Sequence, residues 1–113
     1  MPTIVRTWRG RASSSNPEAY ASHFRKNVLP ELRGIEGFLG ALLLKQETNE
    51  GVEFLVLTRW ASMEAIRAFA GSEVTNAVVE PEAIAALMSF DPTVQHYEVV
   101  EEVTQPAGVT GSR

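Results

Sequence analysis

Apolar residues fill both alternating positions in two stretches of the chain. Residues 52–60 read Val-Glu-Phe-Leu-Val-Leu-Thr-Arg-Trp, and residues 38–44 read Phe-Leu-Gly-Ala-Leu-Leu-Leu. Successive residues of a β-strand point to opposite faces of the sheet. Both stretches therefore predict strands that are apolar on both faces. Each face of the sheet must then be buried, and one short chain has to provide for both.

Two further strands are predicted near the ends of the chain, at residues 3–9 and 94–100. The first helix lies between the strands at 3–9 and 38–44. Its start is capped by Ser15 or by Asn16, and Pro30 should kink or end it, because proline lacks an N–H group. The residues of its apolar stripe follow at four-residue spacing: Tyr20, Phe24 and Val28.

A second helix follows the strand at 52–60. Ser62 is the predicted cap, and Gly71 is the predicted stop. Residues 72–79 and 81–88 then predict two short helical pieces, separated at Pro81.

This order of elements predicts an α+β fold, a ferredoxin-like four-stranded antiparallel sheet with helices on one face. The helices cover one face only. An uncovered apolar face normally marks an interface, so we expect a homodimer formed through the sheet, with the two-fold axis that is commonest among dimers. Strict alternation assigns these residues to the uncovered face: Val5, Leu39, Ala41, Leu43, Leu55, Leu57, Tyr97 and Val99.

The length of 113 residues corresponds to one domain. We expect the domain at residues 1–101 and a flexible tail at 102–113, where glycine, proline and polar residues prevail. No apolar run approaches the roughly 20 residues that cross a bilayer, and the N-terminus lacks a basic segment followed by an apolar one. The expected location is the cytoplasm, without a membrane partner.

Charge and composition narrow the chemistry. The net charge is −4 and both signs are interspersed, so the sequence predicts no basic surface that would bind nucleic acid. The absence of cysteine excludes disulfides, thiolate metal sites and a cysteine nucleophile. Two histidines fall short of the three ligands of a catalytic zinc site unless carboxylates join them, so no metal is expected. The expected partners are a small molecule and a second copy of the chain.

Polar and aromatic residues share the face of the sheet that is turned toward the helices. Mostly apolar walls with a few convergent polar groups are typical of a small-molecule pocket. Trp8 and Trp60 could stack on a planar ring, and Arg6 could hold a phenolate or carboxylate. His23 or His96 could accept a proton. The remaining predicted pocket residues are Tyr20, Asn27, Phe54 and Thr58.

Each of these residues also has a purely structural interpretation. Trp8 and Trp60 could belong to the core, and His23 could be hydrogen-bonded to the backbone. Arg6 could form an ion pair with Glu98 on a neighbouring strand.

Several segments together resemble the antibiotic biosynthesis monooxygenase domain family. They are Ile-Val-Arg-Thr-Trp-Arg-Gly-Arg from Ile4, Phe-Arg-Lys-Asn-Val-Leu-Pro from Phe24, Gly-Phe-Leu-Gly from Gly37, Glu53 to Trp60 followed by Ala-Ser-Met-Glu-Ala-Ile, and His-Tyr-Glu-Val from His96. The resemblance covers roughly residues 3–101. It implies a dimeric α+β barrel with a pocket between sheet and helices, and members include oxygenases that need neither metal nor flavin.

The resulting expectation is a cofactor-independent monooxygenase acting on a small hydroxyaromatic molecule, with His23 as the base and Arg6 stabilising the anion. The alternative is a non-catalytic dimeric module that binds a small molecule or serves in a stress response. Haem degradation is disfavoured, because the haem-degrading branch carries an Asn on the first strand and a His on the second helix. Here Arg6 and Trp8 hold that face of the strand, and residues 62–88 contain no histidine.

Overall fold

A computed structural model describes residues 2–105 of the chain. A π-helical segment, Phe24–Val28, joins two short α-helices into one continuous rod, which we call the first rod. The elements in chain order are β1 (Ile4–Ala12), α1 (Glu18–His23), the π-helical segment, α2 (Leu29–Arg33), β2 (Phe38–Thr48), β3 (Gly51–Trp60), α3 (Met63–Ala70), α4 (Pro81–Ala86), β4 (Ser89–Phe90) and β5 (Gln95–Glu98).

The strands form one antiparallel sheet with β1 at its centre. β3 lies on one side of β1, and β2 lies beyond β3. On the other side, β4 pairs with Gly10 and Arg11, while β5 pairs with residues 4–7. β5 lies within the strand predicted at 94–100, and β4 is an additional short strand that was not predicted. The architecture is the predicted α+β, ferredoxin-like one.

A β-bulge interrupts the pairing at the start of β2. Phe38 pairs with Trp60, but the next pair joins Gly40 to Arg59, so Leu39 is an extra residue. An extra residue moves every later side chain of the strand to the opposite face. The bulge therefore decides which leucines of β2 face the helices.

The predicted faces of β2 are wrong after this bulge. Ala41 and Leu43 pack against the core beneath the helices, instead of lying on the uncovered face. Leu42 and Leu44 lie on the outer face, where they remain 55% and 41% exposed. The outer face keeps its apolar character, because leucines replace the residues that strict alternation placed there. Its large apolar residues are Val5, Leu39, Leu42, Leu44, Leu55, Leu57 and Tyr97.

The first rod differs from prediction at both ends. It begins after Pro17 without a side-chain cap from Ser15 or Asn16. It also continues through Pro30 to Arg33. The wider π turn explains this continuation, because the Leu29 N–H donates to the carbonyl oxygen of Phe24, five residues earlier.

The second helical region is confirmed at its start and corrected at its end. The hydroxyl oxygen of Ser62 accepts a hydrogen bond from the Ala65 N–H at 3.2 Å, and Gly71 ends α3 with a φ of 84°. The short helix predicted at 72–79 is absent. Residues 72–80, which we call the wall segment, instead bond through their backbone to residues 92–94. Of the predicted tail, residues 102–105 contain no helix or strand, and residues 106–113 lie outside the described part.

Two separate apolar cores cover the inner face of the sheet. The core near the start of the first rod contains Ala12, Tyr20, Phe24, Val52, Phe54 and Ala83. The core at the opposite end contains Ile4, Leu32, Trp60, Ala65 and Ile66. The buried polar residues Arg6 and Thr58 lie on strand positions between these cores. This seam is where a site can form.

Gly37 offers a test of the packing between β2 and α3. Its φ is 95°, and a methyl group added there would lie 2.5 Å from the Ala65 Cβ atom. We expect Gly37→Ala to lower the free energy of unfolding by more than about 2 kcal/mol in urea denaturation. Gly34→Ala is the matched control, because Gly34 has a φ of −83° and only ordinary contacts. Equal losses in both variants would contradict this packing.

Candidate functional site

A cleft opens at the seam between the two cores. The sheet forms its floor, the first rod and α3 form two sides, and the wall segment closes it. Its volume of about 60 Å³ is well below the roughly 300–1,000 Å³ of typical ligand pockets, so a ring-sized guest requires the walls to move. The lining residues are Arg6, Trp8, Tyr20, His23, Val28, Leu32, Val56, Thr58, Phe69, Val78, Val79, Glu80, Ala83 and Val94.

Five of the nine predicted site residues line this cleft: Arg6, Trp8, Tyr20, His23 and Thr58. The other four lie outside its lining. Trp60 is fully buried, and its indole N–H donates to the Thr58 hydroxyl at 2.8 Å. Phe54 packs beneath Tyr20, with ring centroids 5.2 Å apart. Asn27 is exposed on the first rod, and His96 lies beside Arg6.

Arg6 fastens the wall segment to the sheet. Its guanidinium group donates to the carbonyl oxygens of Val74 at 2.6 Å and Asn76 at 3.1 Å. A third bond reaches His96 Nε2 at 3.0 Å. The suggested ion pair with Glu98 is absent, because β5 places His96 opposite Arg6 and Glu98 opposite Ile4. Burial lowers the pKa of Arg6 to about 10, so the group stays charged at neutral pH.

His96 accepts the hydrogen bond from Arg6, because an arginine can only donate. The Nε2 atom must then carry a lone pair, and the proton of the neutral ring sits on Nδ1. Burial lowers the pKa of His96, and the nearby positive charge of Arg6 lowers it further. This histidine therefore supports the arginine and does not reach the cleft.

His23 is buried and faces the cleft, with only 6% of the residue exposed. Its Nδ1 atom lies 2.9 Å from the Asn27 amide nitrogen. Its Nε2 atom has no hydrogen-bond partner within residues 2–105 and lies 3.6 Å from a carboxylate oxygen of Glu80. An unpaired polar atom in an apolar cleft is costly, so this atom is a natural contact for a ligand.

Asn27 decides which tautomer of His23 is present. When the Asn27 NH₂ group donates to Nδ1, the Nε2 atom of a neutral ring carries the proton. When the amide is turned by half a rotation, its oxygen accepts a proton from Nδ1, and Nε2 gains a free lone pair. Oxygen and nitrogen of an amide are assigned from their hydrogen bonds, so both arrangements fit this geometry.

Trp8 and Tyr20 form the aromatic side of the cleft, with ring centroids 5.9 Å apart. The Trp8 indole N–H donates to the Asp91 carbonyl oxygen at 2.7 Å, which fixes the ring. Burial raises the pKa of Tyr20, so its hydroxyl stays protonated. A flat ligand can therefore meet a fixed ring and a neutral hydroxyl here.

Sequence reasoning missed the contribution of the wall segment, above all Glu80. Periodicity treated residues 72–79 as helical and Glu80 as the residue before the next helix. The usable signal was the apolar pair Val78-Val79 directly before Glu80-Pro81, because proline favours an extended residue ahead of it. Glu80 is extended, with a ψ of 156°.

Within residues 2–105, no group of three or more His, Asp or Glu side chains is arranged to hold a metal ion. In the same part of the chain, no helix is both long and apolar enough to span a membrane.

The lowered pKa of His96 predicts an acid-dependent loss of stability. Because the unfolded chain binds a proton more readily at this histidine, the free energy of unfolding falls as the pH drops below about 6.5 toward the lower folded value. His96→Gln keeps an acceptor for Arg6 without a titrating group. We expect its loss between pH 7.5 and pH 5, measured by urea denaturation, to be smaller than that of the wild type. Identical slopes would contradict this role of His96.

Comparison with known proteins places this geometry in context. SnoaB, a cofactor-independent oxygenase from Streptomyces nogalater, superimposes with a TM-score of 0.58 at 19% identity, covering 94% of this chain and 99% of SnoaB. A heme-degrading protein from Mycobacterium tuberculosis gives a TM-score of 0.58 at 24% identity, covering 93% of this chain and all of that one. A dimeric ferredoxin-like protein from an uncultured marine organism gives 0.64 at 16% identity, covering 91% and 100%.

These likenesses, all below 25% identity, establish the fold. Among curated proteins, no sequence matches this chain. The family model for antibiotic biosynthesis monooxygenase matches residues 3–81, which include β1, β2 and β3 and most of the residues that line the cleft. The chain belongs to the antibiotic biosynthesis monooxygenase domain family.

Proposed function

We propose that this protein binds a small hydroxyaromatic molecule in the cleft and oxygenates it without metal or flavin. The observation that carries the proposal is the buried Nε2 atom of His23, which faces an aromatic and aliphatic cleft without a hydrogen-bond partner in the described chain. A ligand hydroxyl supplies the missing partner.

In the proposed reaction, His23 takes the proton of the bound hydroxyaromatic. The resulting anion is electron-rich and reduces O₂ directly: a ring carbon bonds to one oxygen atom, and the product takes up a proton to become a hydroperoxide. That carbon then loses its hydrogen as a proton, the O–O bond breaks to leave a carbonyl group, and the departing hydroxide takes up a proton and leaves as water. The substrate thus supplies the electrons, while the protein deprotonates it, orients it and excludes water from it. The charge of Arg6 stabilises the anion from across the cleft, although its hydrogen bonds hold the wall segment.

The other predicted residues either contact the ligand or support the residues that do. Trp8 and Tyr20 hold the aromatic ring, and Asn27 orients His23. Thr58 lines the floor. The residues behind the lining, which support these groups, are Phe54, Trp60 and His96.

Two findings support an oxygenase: membership of the family and the fold shared with SnoaB. A second candidate function is non-catalytic binding of a small molecule. The small cavity favours it, because a closed cleft suits capture of a ligand more than rapid turnover. Haem has less support, since residues 62–88 contain no histidine and the cavity is far smaller than a porphyrin ring.

We also propose that two copies pair through the outer face of the sheet. Leu39, Leu42, Leu44 and Tyr97 remain 41–56% exposed there, and Leu55 and Leu57 lie among them. Burying a large apolar side chain contributes about 1.5–3 kcal/mol, which for such a set exceeds the lower estimates of the cost of association. The fold shared with a dimeric ferredoxin-like protein is consistent with this assembly.

The role of His23 is tested by oxygen uptake with dihydroxynaphthalenes or anthrones. We expect His23→Ala to lower the rate by about 100-fold or more, because a positioned base contributes that much. Asn27→Asp should retain activity, since a carboxylate also accepts from Nδ1, whereas Asn27→Leu should lose most of it. Lys26→Gln is the control, an exposed change on the same segment. An unaltered rate in His23→Ala would refute the base.

The sheet interface is tested by analytical ultracentrifugation at micromolar concentration. We expect a dimer for the wild type and a folded monomer for Leu42→Glu, because the charge would be buried between two apolar faces. Ile84→Glu is the matched control, since Ile84 is 49% exposed on α4 and Leu42 is 55% exposed on the sheet. A wild-type monomer would contradict the interface.

A further inference from the structure

Glu80 and His23 face one another across the cleft without a hydrogen bond. The distance from His23 Nε2 to the Glu80 carboxylate is 3.6 Å, beyond the usual 2.7–3.2 Å of an N–H···O bond. Glu80 is held in place because its carbonyl oxygen accepts the N–H groups of Ala83 and Ile84. These bonds fix the backbone of Glu80, while its side chain stays 40% exposed at the edge of the cleft. The two side chains form a polar pair on an otherwise mostly apolar lining.

A hydroxyl group satisfies this pair, because it can both donate and accept a hydrogen bond. A carboxylate can only accept, and an imidazole nitrogen either donates or accepts according to its tautomer. A hydroxyl can donate to Glu80 while accepting from His23, or donate to His23 when Nε2 carries the lone pair. A ligand carboxylate has no proton for Glu80 and brings a second negative charge beside it.

The charges of the lining lead to the same preference. Among the described residues that line the cleft, one cation, Arg6, opposes one carboxylate, Glu80. With His23 neutral, the empty cleft is balanced. Three of the five N–H donors of Arg6 already bind Val74, Asn76 and His96, which leaves fewer of them for an anionic ligand. A neutral ligand keeps the balance.

We propose that Glu80 is a specificity-determining residue, which makes the cleft select neutral hydroxyaromatic ligands over aromatic carboxylates of the same size. This inference rests on the proposed hydroxyaromatic site and names its ligand class more closely. It requires binding only, and no oxygenation step.

The test compares 1-naphthol with 1-naphthoate at pH 7 by isothermal titration calorimetry. The wild type should bind 1-naphthol at least tenfold more tightly. Glu80→Gln should improve 1-naphthoate binding at least fivefold and reduce the preference, because it removes the opposing charge at nearly constant shape. Glu82→Gln is the control: it removes the same charge two residues further along the chain, in α4, from an exposed residue outside the cleft lining. It should leave both affinities within twofold.

The outcomes separate this inference from the proposed function. Equal binding of the two ligands by the wild type, or an unchanged preference in Glu80→Gln, overturns the role of Glu80 and leaves oxygenation standing. Selective binding that depends on Glu80, without oxygen uptake, supports the inference and removes the oxygenase. Absence of binding by either ligand overturns both. Circular dichroism confirms that each variant is folded.

Discussion

The helices cover the inner face of the sheet at its two ends but do not close over its middle. One core packs around Tyr20 and Phe54, the other around Trp60 and Ile66, and the strands run through both. Between them the chain buries a guanidinium group, which is costly unless its donors are satisfied. Arg6 meets this cost with bonds to two carbonyl oxygens of the wall segment and to His96. The arginine therefore holds closed the side of the cleft that has no regular structure, and the position of Glu80 depends on that wall.

The sequence predicted the framework of the fold because its information is local and periodic. The apolar stretch at 52–60 is a strand to within one residue, and Ser62 and Gly71 bound α3 as their chemistry requires. The faces of β2 could not be predicted in the same way. A bulge at Leu39 depends on how β2 pairs with β3, a long-range fact that alternation within one strand does not contain. The wall segment was missed for a similar reason, since its hydrogen bonds go to residues 92–94.

The site was predictable where strand parity or helical spacing applied. Parity selected Arg6, Trp8 and Thr58, and the stripe of the first rod selected Tyr20 and His23. Neither rule predicts the hydrogen-bond partners of these side chains. The Thr58 hydroxyl accepts a hydrogen bond from the Trp60 indole, and the Arg6 guanidinium donates to the wall segment. Both residues were predicted to contact the ligand, but their observed hydrogen bonds are within the protein. The Nε2 atom of His23 has no hydrogen-bond partner among residues 2–105, and the Glu80 carboxylate faces it.

We expect a ligand in the cleft to bind His23. The chain contains two histidines, so each imidazole can be followed separately by ¹⁵N NMR. On titration with 1-naphthol, we expect a saturable shift of the His23 Nε2 resonance. The His96 resonances should shift much less, because the Arg6 side chain lies between that ring and the cleft. A His23 resonance that remains unchanged at ligand saturation, or a response confined to His96, would contradict the account.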